Sequence, residues 1–235
     1  MGVWMIGGRS IFVAVAVLAT SACSRGEPET AFASSSTATS SATAQHAVTP
    51  ASVNAAALRL VLASTGNAAR YRVRERLMGH DFDNDAIGGT KSLTGAISFD
   101  SNGKVIRDVS KFTVDAGSFV SDKNRRDGFV RGRLLEADEY PMVVLVPTTV
   151  RGMTIPLPAT GSRPFEMTGD LTVRGVTRPT TWNGTVQFKD GTVSGSAGTA
   201  FTFDDIQMEQ PRVPVLLSVG DTIRLEITFN LVQQR

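Results

Sequence analysis

Few side chains of this chain have the types and spacings that catalysis or metal binding needs. Of its two histidines, His46 lies in a low-complexity stretch, and His80 lies in the segment Gly79-His-Asp-Phe-Asp-Asn-Asp85. The three aspartates around His80 offer hard oxygen ligands, but the glycine and the terminal glutamate of an EF-hand calcium loop are missing. A metal site and a solvated loop between two strands both fit this segment, and we expect the loop.

No other group of residues points to covalent chemistry. No serine lies in a nucleophile elbow, and the single cysteine, Cys23, lies near the N-terminus. Carboxylates are numerous, as on any protein surface, and nothing in their spacing pairs two of them across a cleft. We therefore expect a binding protein without a metal or cofactor, and not an enzyme.

Residues 1–22 have the parts of a secretory signal peptide. Arg9 precedes the apolar run Ile11–Ala19, and the small residues Thr20-Ser-Ala22 follow it. The run is shorter than the roughly 20 residues that a membrane-spanning helix needs. Cys23 then lies where a bacterial lipobox has its lipid-carrying cysteine, although Thr20 stands where leucine is usual. We expect lipidation of Cys23; ordinary cleavage nearby is the alternative.

Residues 23–57 are predicted to be a flexible tether. They are rich in Ala, Ser and Thr, and such a segment buries too little apolar area to offset the entropy of ordering it. A lipid on Cys23 would hold the protein at an envelope membrane on the periplasmic side. The next residue, Ser24, is not the aspartate that often retains lipoproteins at the inner membrane, which favours the outer membrane.

From Ala68 onward, apolar residues recur at every second position, which predicts half-buried β-strands. About eight strands are expected, near residues 70–77, 93–99, 105–115, 142–151, 165–173, 177–188, 192–204 and 223–231. Turn-forming residues separate several of them, at Ser101–Gly103, Pro158–Pro164, Lys189–Gly191 and Val219–Asp221. The one longer connection, residues 119–139, is predicted to be a polar loop with a short helix.

Eight strands with short connections favour a single antiparallel, lipocalin-like barrel over residues 58–235, because closure removes exposed edges. One face of the first strand carries Arg70, Arg72, Arg74 and Arg76. The interior of so small a barrel barely holds its own side chains, so these arginines must point outward, where membrane lipid would penalise them. We therefore expect a water-soluble all-β barrel with its apolar faces inside.

Four motifs follow one another along residues 60–233. They are Arg125-Arg-Asp127 leading to Glu139-Tyr-Pro141, then Gly169-Asp-Leu-Thr-Val-Arg-Gly-Val-Thr-Arg-Pro179, then Thr181-Trp182, and last Ser218-Val-Gly-Asp-Thr-Ile-Arg-Leu-Glu226. Together they resemble the YceI-like family of exported polyisoprenoid-binding proteins, and the Leu-Thr-x-x-Gly-Val-Thr segment is the most specific part. The resemblance implies an elongated antiparallel barrel, similar to lipocalins, with a long prenyl chain in its lumen.

The chain departs from the family pattern at two places. The family often has a histidine two residues after the Arg-Asp pair, whereas Gly128-Phe129 follows Asp127 here, so no role of that histidine is carried over. The segment Thr149–Pro164 is longer and richer in proline, and we expect it to reshape one mouth of the barrel. Arg125, Arg126 and Asp127 could meet an anionic head group at the barrel mouth. Alternatively, Arg126 and Asp127 could pair with neighbours and hold the long connection in place, and we favour this second role.

A prenyl ligand would contact the apolar side chains that face the lumen. The residues expected to do so are Leu93, Ile97, Phe99, Phe112, Leu171, Phe201, Phe203, Leu225, Ile227 and Phe229. In a small closed barrel the same side chains can simply fill the core, and this alternative stays open. Trp182 and Thr177 are expected to pack or pair across strands.

Three functions remain open on the sequence. The first is carriage or storage of an isoprenoid lipid, such as a quinone or prenyl phosphate, near a membrane. The second is a structural or interaction module of the cell envelope with a filled barrel, and the third is an enzyme acting on such a lipid. Nucleic acid is not an expected partner, because the 24 basic and 22 acidic residues are interspersed. A homodimer is possible.

Overall fold

The computed structural model of the protein describes residues 56–234. The signal segment, Cys23 and all but the end of the tether lie outside these residues, so their interpretations stay predictions. Within the described range, no helix is both long enough and apolar enough to cross a bilayer.

Strands dominate the described chain. Eleven of them join in one antiparallel sheet. Their bounds are β1 Leu58–Leu62, β2 Ala68–Leu77, β3 Asn84–Thr90, β4 Leu93–Phe99, β5 Lys111–Asp115, β6 Val120–Ser121, β7 Met142–Arg151, β8 Thr160–Val173, β9 Val176–Lys189, β10 Thr192–Thr202 and β11 Leu216–Gln233.

The sheet closes into a ring in the order β1-β4-β5-β7-β8-β9-β10-β11, with β1 pairing back onto β11. The closing ladder aligns Leu60 with Gln233 and Leu62 with Leu231. Because β11 is long, β2 pairs with its first part, and β3 and β6 extend the wall from there. This arrangement confirms the predicted antiparallel eight-stranded barrel.

The connection between β6 and β7 contains the short helix predicted within residues 119–139. Helix α1 spans Asn124–Phe129, and a π-helical turn continues it over Val130–Leu134. Val130 is buried, and Leu134 packs against the barrel core. We call this end of the barrel, where β8 ends and β9 begins, the helix end, and the opposite end, where β7 ends and β8 begins, the loop end.

The structure differs from the sequence interpretation at several elements: β1 and β6 were not among the predicted strands, and β8 begins inside the predicted turn Pro158–Pro164. Strand β3 was not predicted, because Gly88 and Gly89 carry no side chains that could show an alternation. The predicted turn at Val219–Asp221 is a bulge inside β11, where the register with β2 shifts before Ile223. The predicted strand 105–115 begins only at Lys111, because residues 107–109 form a 3₁₀ turn.

The alternation along β2 turns its four arginines to the outside of the barrel. Arg70, Arg74 and Arg76 are exposed and Arg72 is half-exposed, as the sequence predicted. On the opposite face, Ala69 is buried against the core.

Candidate functional site

The barrel encloses a narrow apolar cavity of about 120 Å³. Every strand of the ring contributes to its wall, because each strand turns alternate side chains inward. One lining residue from each ring strand, in ring order, is Leu60, Ile97, Phe112, Leu145, Phe165, Trp182, Val193 and Phe229. The cavity therefore runs through the middle of the ring, and we refer to it as the lumen.

The polar residues that border the lumen occupy outward-facing positions of β2 and β11. They are Arg70, Glu226 and Thr228, and each stands between inward-facing residues of its strand. Alternation turns their side chains outward, and those of Arg70 and Thr228 are exposed. Within the described residues, the lumen is consequently lined by apolar side chains.

Most of the side chains predicted to contact a ligand face the lumen. Eight line it, namely Leu93, Ile97, Phe99, Phe112, Leu171, Leu225, Ile227 and Phe229. Phe201 and Phe203 are buried in the core but do not line the lumen. Contact of any of the ten with a ligand stays a prediction, because lining a cavity and binding a guest are different properties.

The loop end of the lumen is covered by residues 152–159, part of the proline-rich segment that we expected to reshape one mouth. Met153 lines the lumen itself. Ile155 and Leu157 are half-buried and pack against the core. This segment thus places three apolar side chains over that end.

Toward the helix end, Phe119 borders the lumen and packs against Tyr71. Phe119 lines the cavity, and its ring lies 5.8 Å from the ring of Tyr71 at an angle of 50°. Gly88 leaves the space for Tyr71, because a Cβ at position 88 would collide with the tyrosine ring. Burial raises the pKa of Tyr71 to about 12.

Beyond Tyr71, a buried ion pair fastens the helix connection to the wall. Arg126 of α1 donates to a carboxylate oxygen of Glu75 at 2.7 Å and also pairs with Asp122. Asp127 is buried and accepts hydrogen bonds from the backbone N–H (2.7 Å) and the hydroxyl (2.6 Å) of Ser121. Arg126 and Asp127 therefore hold the long connection in place, the role that we favoured for them.

Two of the three aspartates around His80 form ion pairs on the outer surface. Asp85 accepts from Arg72 at 3.1 Å and from Arg74 at 3.3 Å, and Asp83 lies 3.9 Å from Arg74. The hydrogen bond from Arg72 is the main reason that the pKa of Asp85 lies below its ordinary value. Across residues 56–234, no three potential metal ligands come together.

Sequence reasoning did not assign Trp182 to the lumen. The indole is 2% exposed, lines the cavity and donates from Nε1 to the hydroxyl of Thr180 at 3.0 Å. Trp182 lies four residues before Val186 on β9, so alternation turns both side chains to the same face, and Val186 also lines the lumen. This spacing could have identified Trp182 as a lumen residue. Thr177 is exposed and its hydroxyl lies 2.8 Å from that of Thr172, so it pairs across strands as predicted.

A family model described as a YceI-like domain matches residues 62–231. The chain belongs to the YceI-like family. The resemblance seen in its motifs is thereby confirmed. A UPF0312 protein from Pseudomonas putida is 30% identical over 168 residues, which cover 67% of this chain and 78% of that protein.

Two solved structures are similar to this YceI-like protein. The first is a polyisoprenoid binding domain from Saccharophagus degradans implicated in plant cell wall breakdown, with a TM-score of 0.59 at 13% identity. The match covers 76% of this chain and 99% of that domain. BcnA from Burkholderia cenocepacia gives a TM-score of 0.52 at 15% identity, covering 72% of this chain and 98% of BcnA. At these identities the comparison establishes a common fold.

Proposed function

We propose that this YceI-like protein binds an isoprenoid-type lipid, such as a quinone or a prenyl phosphate, in its lumen for carriage or storage. The observation that carries the proposal is the apolar lining contributed by all eight ring strands. Burial of hydrocarbon stabilises a complex by about 0.8 kcal/mol per CH₂ group, so a prenyl chain needs no polar contact to bind there. The solved relative that is itself a polyisoprenoid binding domain supports the same ligand class.

The volume of the lumen sets a condition on the guest. At about 120 Å³ it is slightly smaller than the engineered cavity of about 150 Å³ that holds benzene. A longer prenyl chain therefore requires the lumen to widen. Met153 at the loop end has an unbranched, flexible side chain that can adopt other rotamers, and Phe119 borders the cavity toward the other end. We expect guest uptake to move these side chains.

The same small volume favours one alternative, a structural or interaction module of the cell envelope whose barrel is filled. In that case the lining residues are simply the core of a small barrel. The two functions differ in one measurable property, because a filled barrel takes up no stoichiometric lipid.

The proposal includes export and tethering. Cleavage after residue 22, lipidation of Cys23 and the flexible segment that follows would place the barrel in the periplasm, within reach of a membrane that contains isoprenoid lipids. Ser24 favours the outer membrane for this anchor. A homodimer is compatible with the proposal and is not needed for it.

Fluorescence of Trp182 offers a direct binding test. The chain has two tryptophans, so Trp4→Phe in the full chain leaves the lumen residue as the single emitter. Titration with farnesol is expected to change its emission saturably, with one site per chain. Ala69→Phe, which puts a ring into the lumen, should abolish the change, and Ser196→Phe, on the exposed face of β10, should not. No change in the parent, or equal affinity in both variants, would refute lumen binding.

A further inference from the structure

The wall of the barrel is incompletely paired between β9 and β10. Their ladder ends where Asn183 aligns with Gly198. Toward the helix end, β9 continues to Val176 paired with β8, and β10 continues to Thr202 paired with β11. The two strands separate there, and we call the gap between residues 176–182 and residues 199–202 the split.

The split reaches from the outer surface to the wall of the lumen. A groove of about 480 Å³ lies in it, lined by outward-facing residues such as Thr181 and by inward-facing residues such as Thr180 and Phe201. Leu225 of β11 lines both this groove and the lumen. The groove and the lumen therefore border the same residue of β11.

One ion pair joins the two sides of the split. The Nη1 atom of Arg178, on β9, lies 2.8 Å from the Oδ1 atom of Asp205. Asp205 belongs to the 3₁₀ turn directly after β10. The guanidinium also stacks over the ring of Phe201, 5.5 Å from its centroid. The Nη1 contact lacks hydrogen-bond geometry, and Nε, although buried, has no hydrogen-bond partner. The side chains are 25% and 38% exposed, so water can compete for the pair.

We propose that the isoprenoid guest enters and leaves the lumen through the split, and that the Arg178–Asp205 pair is the latch that keeps it closed. The proposal rests on the lipid binding proposed above. Passage along the barrel axis would require displacing either the apolar segment 152–159 or the helix connection, which the buried Arg126–Glu75 pair fastens. Opening the split requires breaking one half-exposed ion pair, the stacking of Arg178 on Phe201 and the contacts of a single 3₁₀ turn.

The latch can be tested without any guest. Trp182 is buried and its indole N–H is bonded to Thr180, a residue of the groove, so acrylamide that enters the split reaches this indole. Asp205→Asn removes the charge but keeps an oxygen that can accept the 2.8 Å hydrogen bond from the Thr202 N–H. In the full chain carrying Trp4→Phe, we expect this variant to raise the acrylamide quenching constant about two- to fivefold, since exposed ion pairs shift an equilibrium by that factor or less.

Two further variants separate the latch from general loosening. Arg178→Met removes the charge but keeps an apolar stem over Phe201, and it should raise quenching as Asp205→Asn does. Arg151→Gln is the matched control: it breaks an ion pair of 3.0 Å with Glu166 across β7 and β8, which stay paired from Thr149 to Arg151. Quenching in this control should equal that of the parent. Circular dichroism verifies that each variant is folded.

Guest exchange completes the test. In Asp205→Asn, farnesol should bind and dissociate about two- to fivefold faster with an unchanged Kd, because the latch does not line the lumen. Quenching and exchange rates equal to those of the parent in both latch variants would overturn the proposal. If the parent binds no farnesol while the latch variants still raise quenching, the proposed lipid binding fails and the latch stands.

Discussion

The ion pair between Arg126 and Glu75 allows a quantitative test of how the helix connection is held. Its side chains are 15% and 7% exposed, the lowest exposures of any ion pair in the described residues. Arg126→Met keeps a long apolar stem and leaves the Glu75 carboxylate buried, with the Asn84 amide at 3.3 Å as its remaining side-chain partner. Removing one member of a buried pair costs about 3–5 kcal/mol. Asp122 is 66% exposed, so its lost pairing adds little.

We therefore expect Arg126→Met to lower the free energy of unfolding by about 3–4 kcal/mol, measured by urea denaturation followed by circular dichroism. Glu75→Gln in the same background should recover much of this loss, because it removes the unpaired buried charge. The double-mutant cycle should then give a coupling energy of about 2 kcal/mol or more. Arg151→Gln is the exposed counterpart, with its side chain 80% exposed, and should cost less than about 1 kcal/mol.

A loss below about 1 kcal/mol in Arg126→Met would refute this reasoning, because the Glu75 carboxylate would then not depend on the arginine. A coupling energy near zero would do the same. In either case the attachment of α1 to β2 would have to come from apolar contacts such as those of Val130, which is buried.

Three further predictions test other parts of the structure. The chain has two tyrosines, so Tyr140→Phe leaves Tyr71 as the only phenol that titrates. An absorbance titration of this variant should give a pKa of about 12 for Tyr71. A pKa near 10 would contradict the burial of Tyr71. The folded protein holds the phenolic proton of Tyr71 more tightly than the unfolded chain does. Ionisation of Tyr71 should therefore lower the free energy of unfolding as the pH rises from 10 to 12. Phe112→Ala should tighten farnesol binding about fivefold, or by ~1 kcal/mol, because it widens the lumen in advance. Phe201→Ala lies outside the lining and should leave the Kd for farnesol unchanged. Gly184→Ala should lower the urea midpoint, at a cost of about 1–3 kcal/mol, because its Cβ would meet a backbone carbonyl of β10.

The barrel could be predicted from the sequence because its longest strands alternate strictly. Ile223, Leu225, Ile227 and Phe229 define the inner face of β11 without any tertiary information. Closure followed from the number of strands and the short connections. Strand β3 could not be predicted in this way, since its glycines carry no polarity and its pairing with β2 is long-range.

The lumen was partly predictable, and the latch was not. The alternation along each strand identifies which side chains face inward, but not which of them border the cavity. Phe201 and Leu225 both face inward, and only Leu225 lines the lumen. Glu75 shares the inward parity of Tyr71 on β2, yet its partner Arg126 lies on a helix far along the chain. Such pairs depend on how distant segments are placed, which alternation does not encode.

Mass spectrometry of an organic extract tests the central claim most directly. The full chain and its Ala69→Phe variant would be purified without detergent from a bacterium that makes isoprenoid lipids, and the extracted lipid would be quantified per chain. Lumen binding predicts about one prenyl lipid per parent chain and none in the variant whose lumen is filled. An extract without prenyl lipid, or the same amount from both proteins, would contradict it.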